Sequence, residues 1–296
     1  MKMMKKTIYA LGFFDGVHLG HQALLTACLE LAKAAGVAAG AVTFTSHPDS
    51  LVTGKTPVLI NTIEDRIGLL QHYGMESVIP LPFDKALMET PWEAFLEQLL
   101  AGGAAGFVCG DDFRFGYKGQ GNAEKLSAFC QQKGLPCRVV PEQLLEGVRI
   151  SSSHIRLLLE QGDVKTAAAF LGHSHILTGV VIPGKQLGRT IGIPTANLAA
   201  PEGLLLPKKG VYATRVLVEG NTCPGVTNIG TRPTVAGEGI TLETWLLDFE
   251  GDLYGKALQL SFESYLRPEK KFASLEELQT EIHKNAAQTR KILGFS

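Results

Sequence analysis

The pattern of apolar residues changes once along the 296 residues, and that change restricts the folds open to the chain. Up to about residue 170, short apolar runs alternate with longer helical patterns: Thr7 to Phe14, Gln22 to Ala35, Val37 to Phe44, Ile63 to Tyr73, Val78 to Leu81, Trp92 to Leu100, Phe107 to Cys109, Ala123 to Lys133 and Arg138 to Val140. Strands that alternate with helices are joined by crossovers, so they pair mostly in parallel and need helices over both faces. This half predicts a doubly wound, Rossmann-like α/β domain. In its first helix Leu24, Leu25, Cys28, Leu29 and Ala32 recur at spacings of three and four, which marks a buried face, and Gly36 is a helix stop. After about residue 175 the runs become short and β-type: Ile176 to Ile182, Val211 to Val218, Pro224 to Asn228, Leu242 to Phe249 and Ala257 to Phe262. Gly and Pro punctuate them, as in an antiparallel barrel or sandwich, and only Leu275 to Leu293 looks helical. The expected domains are 1–172 and 173–296.

Charge narrows the partners. Lys and Arg total 28 against 29 Asp and Glu, so no global positive field exists to hold a nucleic acid or an anionic membrane, and any polyanion must be bound locally. The five cysteines are scattered with no CxxC pair, which predicts a reduced, cytoplasmic chain rather than a disulfide framework or a zinc site. The basic start at Lys2, Lys5 and Lys6 leads into an apolar stretch that Asp15 cuts short, and no apolar run reaches about 18 residues, so secretion and membrane spanning are not expected.

The densest chemical signal is GFFDGVHLGH, Gly12 to His21, where the first strand hands over to the first helix. Ligands of α/β sheets bind at that place. His18 and His21 fall on one side of the nascent helix, Gly20 leaves room for a bulky anion, and the helix N-terminus adds exposed N–H groups and a partial positive charge. The turn residues Phe14, Asp15, Gly16 and Gly20 are therefore candidate nucleotide contacts. A second element, ISSSHIR from Ile150 to Arg156, sets Ser152 or Ser153 as a helix N-cap and projects Arg156 from the first turn, a group able to clamp phosphate oxygens. A third, GDDFRFG from Gly110 to Gly116, carries Asp112 and Phe113 and could grip a ring system or form a turn over the core.

In the second half, GVVIPGK from Gly179 to Lys185 fits the core of a phosphate loop, but Gln186 stands where the magnesium-binding hydroxyl belongs and no helix pattern follows, so an NTPase loop is rejected. Gly184, Lys185, Gly188 and Arg189 remain candidates for a phosphate-binding loop. In the continuation GRTIGIPTANL, an extended Pro194 to Leu198 turns Thr195 and Asn197 to one face, two compact oxygen donors able to hold magnesium with bound nucleotide.

GFFDGVHLGH, GDDFRFG and ISSSHIR, in that order, resemble the adenylyltransferase module of bacterial bifunctional riboflavin kinase/FAD synthetases, a branch of the HxGH nucleotidylyltransferases. PTAN, GVYATRV at 210–216, GVTNIGTRPT at 225–234, LETWLLDF at 242–249, LYGK at 253–256 and LRPEKKF at 266–272 resemble the same family's barrel-shaped kinase module with its C-terminal helix. The resemblance implies two ATP-dependent reactions, riboflavin to FMN in the C-terminal domain and FMN to FAD with release of pyrophosphate in the N-terminal domain, with magnesium bridging phosphate oxygens. It implies that His18 and His21 offset charge on the ATP phosphates, that Arg156 holds the leaving pyrophosphate, and that Asp112 and Phe113 lie near nucleotide and flavin. It makes Glu243 the general base of the kinase and Arg267 a loop residue closing over the flavin. Several positions depart from the family pattern: Phe13, Ser46, Ser153, His173, Asn285 and, two residues after the base, Trp245 in place of a usual His. A monofunctional enzyme with a decayed kinase half, or a flavin-binding regulator without turnover, would not need His18, His21, Thr195, Asn197 and Glu243 together.

Overall fold

The computed structural model describes residues 5–54, 56–184, 188, 192–234 and 237–295, so the candidate residues Lys185 and Arg189 lie outside the described residues. The chain divides into two compact units, residues 1–59 with 63–152, and residues 153–296 with 60–62.

The first unit runs β1 (Thr7–Leu11), α1 (Leu19–Ala35), β2 (Ala38–Phe44), α2 (Asp49–Val52), α3 (Ile63–His72), β3 (Ser77–Leu81), α4 (Lys85–Glu89), α5 (Trp92–Ala101), β4 (Ala104–Gly110), β5 (Arg114–Phe115), β6 (Gly121–Asn122), α6 (Ala123–Lys133), β7 (Cys137–Val140), β8 (Leu144–Leu145) and β9 (Val148–Arg149). Five strands form one parallel sheet in the order β3-β2-β1-β4-β7. Alternate residues of β1 feed opposite cores: Ile8 and Ala10 pack with Leu25 and Cys28 of α1, while Tyr9 and Leu11 pack with Phe95, Phe107 and Leu126. That alternation is what a strand covered on both faces requires. Gly36 ends α1 in the left-handed conformation (φ 65), as its position in the sequence predicts. The strand order reverses between β1 and β4, which opens a crevice at their carboxyl ends.

The second compact unit holds α8 (Val164–Leu171), β10 (His175–Ile182), β11 (Ala196–Ala199), β12 (Gly210–Val218), β13 (Asn221–Thr234), β14 (Gly237–Leu246), β15 (Ala257–Arg267) and α9 (Leu275–Leu293), together with almost all of α7 (Ser152–Gln161). Its six strands close into an antiparallel barrel in the order β10-β11-β14-β13-β12-β15. Three threonines cross the barrel interior in a row: Thr214 and Thr227 share a hydrogen bond of 2.8 Å, Thr227 and Thr244 one of 2.9 Å, and Thr214 Oγ1 lies 3.1 Å from the Gly225 carbonyl oxygen. Such a ladder leaves these buried hydroxyls partnered. α8 packs on β10 and β15, and the Lys208 amide donates to the Leu159 carbonyl of α7 (3.0 Å), so both helices count with the barrel although they precede residue 173. α9 lies over β12 and β13, where Ala286 meets Val211 and Val226. Ser274 caps it by accepting from the Glu277 amide, and the Glu277 carboxylate accepts from the Ala273 amide just before the cap, a variant of the capping box.

His175, at the start of β10, is fully buried against Phe262, and among the described residues neither ring nitrogen has a hydrogen-bond partner. Burial, helped by nearby His173, pushes its pKa down to about 3. Unfolding below the ordinary value of about 6.5 then takes up a proton. The stability of the neutral ring is fully present above about pH 6.5 and is lost toward pH 3 at up to about 1.4 kcal/mol per pH unit. Urea denaturation of His175→Phe should show a flatter pH dependence between pH 6.5 and 4 than the parent; an unchanged slope would assign the acid sensitivity to another group.

Candidate active sites

Between β1 and α1 the backbone turns through three left-handed residues, Phe14 (φ 60), Gly16 (φ 82) and Val17 (φ 41). Glycine adopts this conformation freely, but a phenylalanine and a β-branched valine in it store roughly 1–3 kcal/mol each. Burial and hydrogen bonds hold the strain in place. Phe14 and Val17 are fully buried, Thr43 Oγ1 donates to the Phe13 carbonyl (2.7 Å), Ser152 Oγ to the Asp15 carbonyl (2.9 Å) and Gln22 Nε2 to the Val17 carbonyl (2.9 Å).

This turn delivers His18 to the N-cap of α1, where its Nδ1 accepts from the His21 amide (3.2 Å). An accepting Nδ1 puts the proton of the neutral ring on Nε2. The two imidazoles stack at 3.6 Å between centroids, and Phe14 meets His21 edge-on at 5.2 Å. Burial first, then the charges of His18 and Arg66, holds the His21 pKa well below the ordinary histidine value. At neutral pH, His21 therefore enters as a neutral imidazole at a helix N-terminus. Its Nδ1 is buried with no hydrogen-bond partner among the described residues. An arriving phosphate would restore affinity for the proton.

A cavity of about 290 Å³ opens beside this turn and is lined by His18, Gly20, His21, Asp112, Phe113 and Ser152, six of the residues singled out in the sequence. A methyl on Gly20 would stand 3.2 Å from the His18 ring, so the bare α-carbon lets that ring lie close against the start of α1. Phe14, Asp15 and Gly16 are buried and shape the turn from below. α7 begins at Ser152, earlier than its apolar pattern suggests, and Ser152 spends its hydroxyl on the Asp15 carbonyl. Ser153 and Arg156 sit on α7 within the second unit. Asp112 is exposed and accepts from Arg149 Nη2 at 2.8 Å, while Arg149 Nε lies 3.4 Å from Glu142. Arg149 lines the cavity, and nothing in the sequence marked it, because the short β8–β9 pairing that aims it is not readable from periodicity.

A second cavity of the same unit, about 700 Å³, is walled by Phe44, Phe83, Phe95, Phe115 and Tyr117. Phe113 of the cavity beside the turn stacks on Phe115 of this aromatic one, with centroids 5.4 Å apart and planes at 17°. The GDDFRFG loop thus borders both. Its aromatic walls come from separated segments, so the sequence showed only one edge of the slot.

In the barrel, pairing of β14 with β11 and β13 sets Glu243 opposite Asn197 on one side and Asn228 on the other. Thr195 and Asn197 alternate with buried Ala196 and Leu198, which puts both donors on one face. Between the barrel wall and α9 lies a cavity of about 490 Å³ lined by Gly188, Thr195, Glu243, Trp245, Arg267 and Asn285. A methyl on Gly184 would fall 2.2 Å from Asn197 Nδ2, so the Gly184 α-carbon lies directly against that amide. Arg267 is the last residue of β15 and is pinned to α9. Its Nε donates to Asn285 Oδ1 (3.0 Å) and faces Glu281 (3.5 Å), and burial lowers its pKa. Trp245 meets His283 of α9 edge-on at 5.6 Å, and Arg290 grips Asp248 with both terminal nitrogens. The site couples a carboxylate flanked by amides to a largely apolar slot.

A riboflavin kinase family model matches residues 171–293, and an FAD synthetase family model matches residues 1–154. A bifunctional riboflavin kinase/FMN adenylyltransferase of Bacillus subtilis (strain 168) is 34% identical over 286 residues, covering 95% of this chain and 90% of the relative. The protein of that name in Escherichia coli (strain K12) is 36% identical over 293 residues, covering 98% and 93%. Among solved structures, a Streptococcus pneumoniae protein named for macrolide efflux superposes with a TM-score of 0.87 at 28% identity, covering 97% of this chain and 94% of that one. Among the described residues of the present chain, no helix is long and apolar enough to cross a membrane.

Since the Gly184 methyl has no space beside Asn197, Gly184→Ala must displace that amide. Losing a hydrogen bond to a charged ligand typically costs a factor on the order of 10 to 10². Calorimetric titration with magnesium and ADP should show the barrel site weakened by that factor; unchanged affinity would place Asn197 outside the nucleotide site.

Proposed function

The chain belongs to the bifunctional riboflavin kinase/FMN adenylyltransferase family, and on that premise we propose which residues carry each half of its chemistry. It phosphorylates riboflavin to FMN and adenylylates FMN to FAD with release of pyrophosphate, consuming ATP in both steps. We assign adenylylation to the N-terminal part, residues 1–172 by the change of pattern in the sequence, and the kinase to residues 173–296. The observation that supports two separate sites is that each compact unit, dividing near residue 152, has its own cavity pairing a polar, anion-suited end with an apolar wall.

In the kinase, the flavin ring occupies the slot under α9 and its 5′-hydroxyl points to Glu243, which takes the proton as the oxygen attacks the γ-phosphorus of ATP. Asn197 and Asn228 hold the carboxylate in register. Gly184 and Gly188 stand at the phosphate end of the site, and Lys185 and Arg189 keep the phosphate-binding role that their place in the sequence gives them. Arg267 fixes α9 at the flavin end of the slot. Thr195 and Asn197 are two neutral oxygen donors on one strand face beside a carboxylate, a set that suits magnesium already carried by nucleotide phosphates, where the ion would offset their charge.

In the adenylyltransferase, the FMN ring lies in the aromatic cavity and its phosphate reaches past Phe113 to the α-phosphorus of ATP. That phosphate is already ionised, so no general base is needed, and catalysis is positioning with electrostatic stabilisation. His18 and His21 donate to the ATP phosphates, Gly20 and Ser152 line the approach, and Ser153 and Arg156 keep the nucleotide- and pyrophosphate-holding roles that the family resemblance gives them. Asp112 sets Arg149 at the rim of the cavity. All five cysteines are free thiols, which supports a reducing cytoplasm as the place of work.

Supplying riboflavin, ATP and magnesium and separating the products should yield FMN first and FAD after it. In Thr195→Ala the magnesium concentration for half-maximal FMN formation should rise about tenfold or more, while that for FAD formation from supplied FMN stays within about twofold. Equal shifts in both steps would sink the assignment of Thr195.

A further inference from the structure

The kinase cavity has one large wall that the phosphoryl chemistry leaves unused. Trp245 lies two residues beyond Glu243 on β14 and shares its face, because Thr244 between them turns into the barrel, where it hydrogen-bonds Thr227. The indole lines the cavity and packs in one cluster with Val211, Val226 and Ala286. Its edge-on contact with His283 (5.6 Å, 83°) clamps it between strand and helix, so its orientation is set before any ligand arrives. A rigid aromatic side chain facing a cavity binds flat conjugated rings at low entropic cost. Two residues along a strand span about 6.6 Å at roughly 3.3 Å each, a reach comparable to an extended five-carbon chain.

Resting on the kinase reading, we propose that Trp245 is a specificity-determining residue of that site, the surface on which the isoalloxazine ring lies while the ribityl chain follows β14 to Glu243. Ring recognition and hydroxyl positioning are then separate properties of neighbouring residues on one strand. The spacing selects flavins whose chain is long enough to bring its terminal hydroxyl to the carboxylate. A flavin with no chain binds the ring surface but offers nothing to phosphorylate.

The chain has two tryptophans, Trp92 and Trp245, so in the full-length protein with Trp92→Phe all indole emission comes from Trp245. Titration with riboflavin, and with lumiflavin, which is the same ring without the ribityl chain, should quench that emission saturably. Steady-state kinetics of Trp245→Ala should show KM for riboflavin raised about tenfold or more, KM for ATP within about threefold of the parent, and kcat far less affected than KM; Trp245→Phe should restore most of the riboflavin affinity. Emission indifferent to both flavins, or a riboflavin KM unmoved in Trp245→Ala, overturns the proposal. A parallel loss for ATP and riboflavin also overturns it, since that reports a collapsed cavity. If Trp245→Ala does not fold, the quenching titration and Trp245→Phe still decide. Failure of the kinase reading looks different: the parent would then make no FMN from riboflavin, whether or not Trp245 is quenched.

Discussion

The turn from β1 into α1 is the constraint on which the adenylylation half depends. Three left-handed residues in four positions are not a conformation the backbone adopts by preference, and two of them carry large side chains. Tertiary structure over-determines them: Phe14 and Val17 are buried, and carbonyls of the turn are held by Thr43 from β2, Gln22 from α1 and Ser152 from the start of α7. What the strain secures is placement. His18 becomes the helix cap, His21 stacks on it, and the helix N-terminus opens onto the cavity.

A chain with a net charge of −1 has no long-range field to gather a triphosphate, so both halves must recognise it with local dipoles and directed donors. On the proposed reading the α/β half would do so with a helix N-terminus and two imidazoles, one of them kept neutral by burial. The barrel half would do so through register. Antiparallel pairing puts Asn197, Glu243 and Asn228 in one row across three strands, and the bare α-carbon of Gly184 lies against the Asn197 end of it. In each half an apolar or aromatic cavity adjoins the polar end, which suits a substrate that is a flat ring at one end and a hydroxyl or phosphate at the other.

Much of this was legible along the chain because it is local. The helix Ala123 to Lys133 carries Asn122 as its cap and Gly134 as its stop, and Leu275 to Leu293 has a capping box at one end and Gly294 at the other; both run as read. The strand Ala196–Ala199 was visible only as an extended pair of donors, since Pro194 and the glycines before it break any periodic signal. α8 went unread although Asp163 caps it and Gly172 stops it, because a single two-turn helix between a helix and a strand offers too few apolar repeats. Non-local features were not legible. The aromatic cavity draws its walls from segments spread over dozens of residues, Arg149 acquires its place through two-residue strands, and Arg267 reads as a loop charge until β15 is seen to extend to it and Asn285 to hold it. The packing of α7 and α8 with the barrel likewise depends on contacts with β10, β15 and Lys208 that no window of sequence contains.

On the proposed reading two separate sites act in series, one built around Glu243 and one around His21. The most direct measurement follows FMN and FAD in Glu243→Gln and His21→Ala, each started once from riboflavin and once from FMN. Loss of a general base typically costs about 10² to 10⁴ in rate, and loss of one transition-state phosphate contact about 10² to 10³. Glu243→Gln should make almost no FMN from riboflavin yet convert supplied FMN to FAD at the parent rate, while His21→Ala should accumulate FMN and make little FAD from either start. A folded Glu243→Gln that fails to adenylylate supplied FMN would contradict the account.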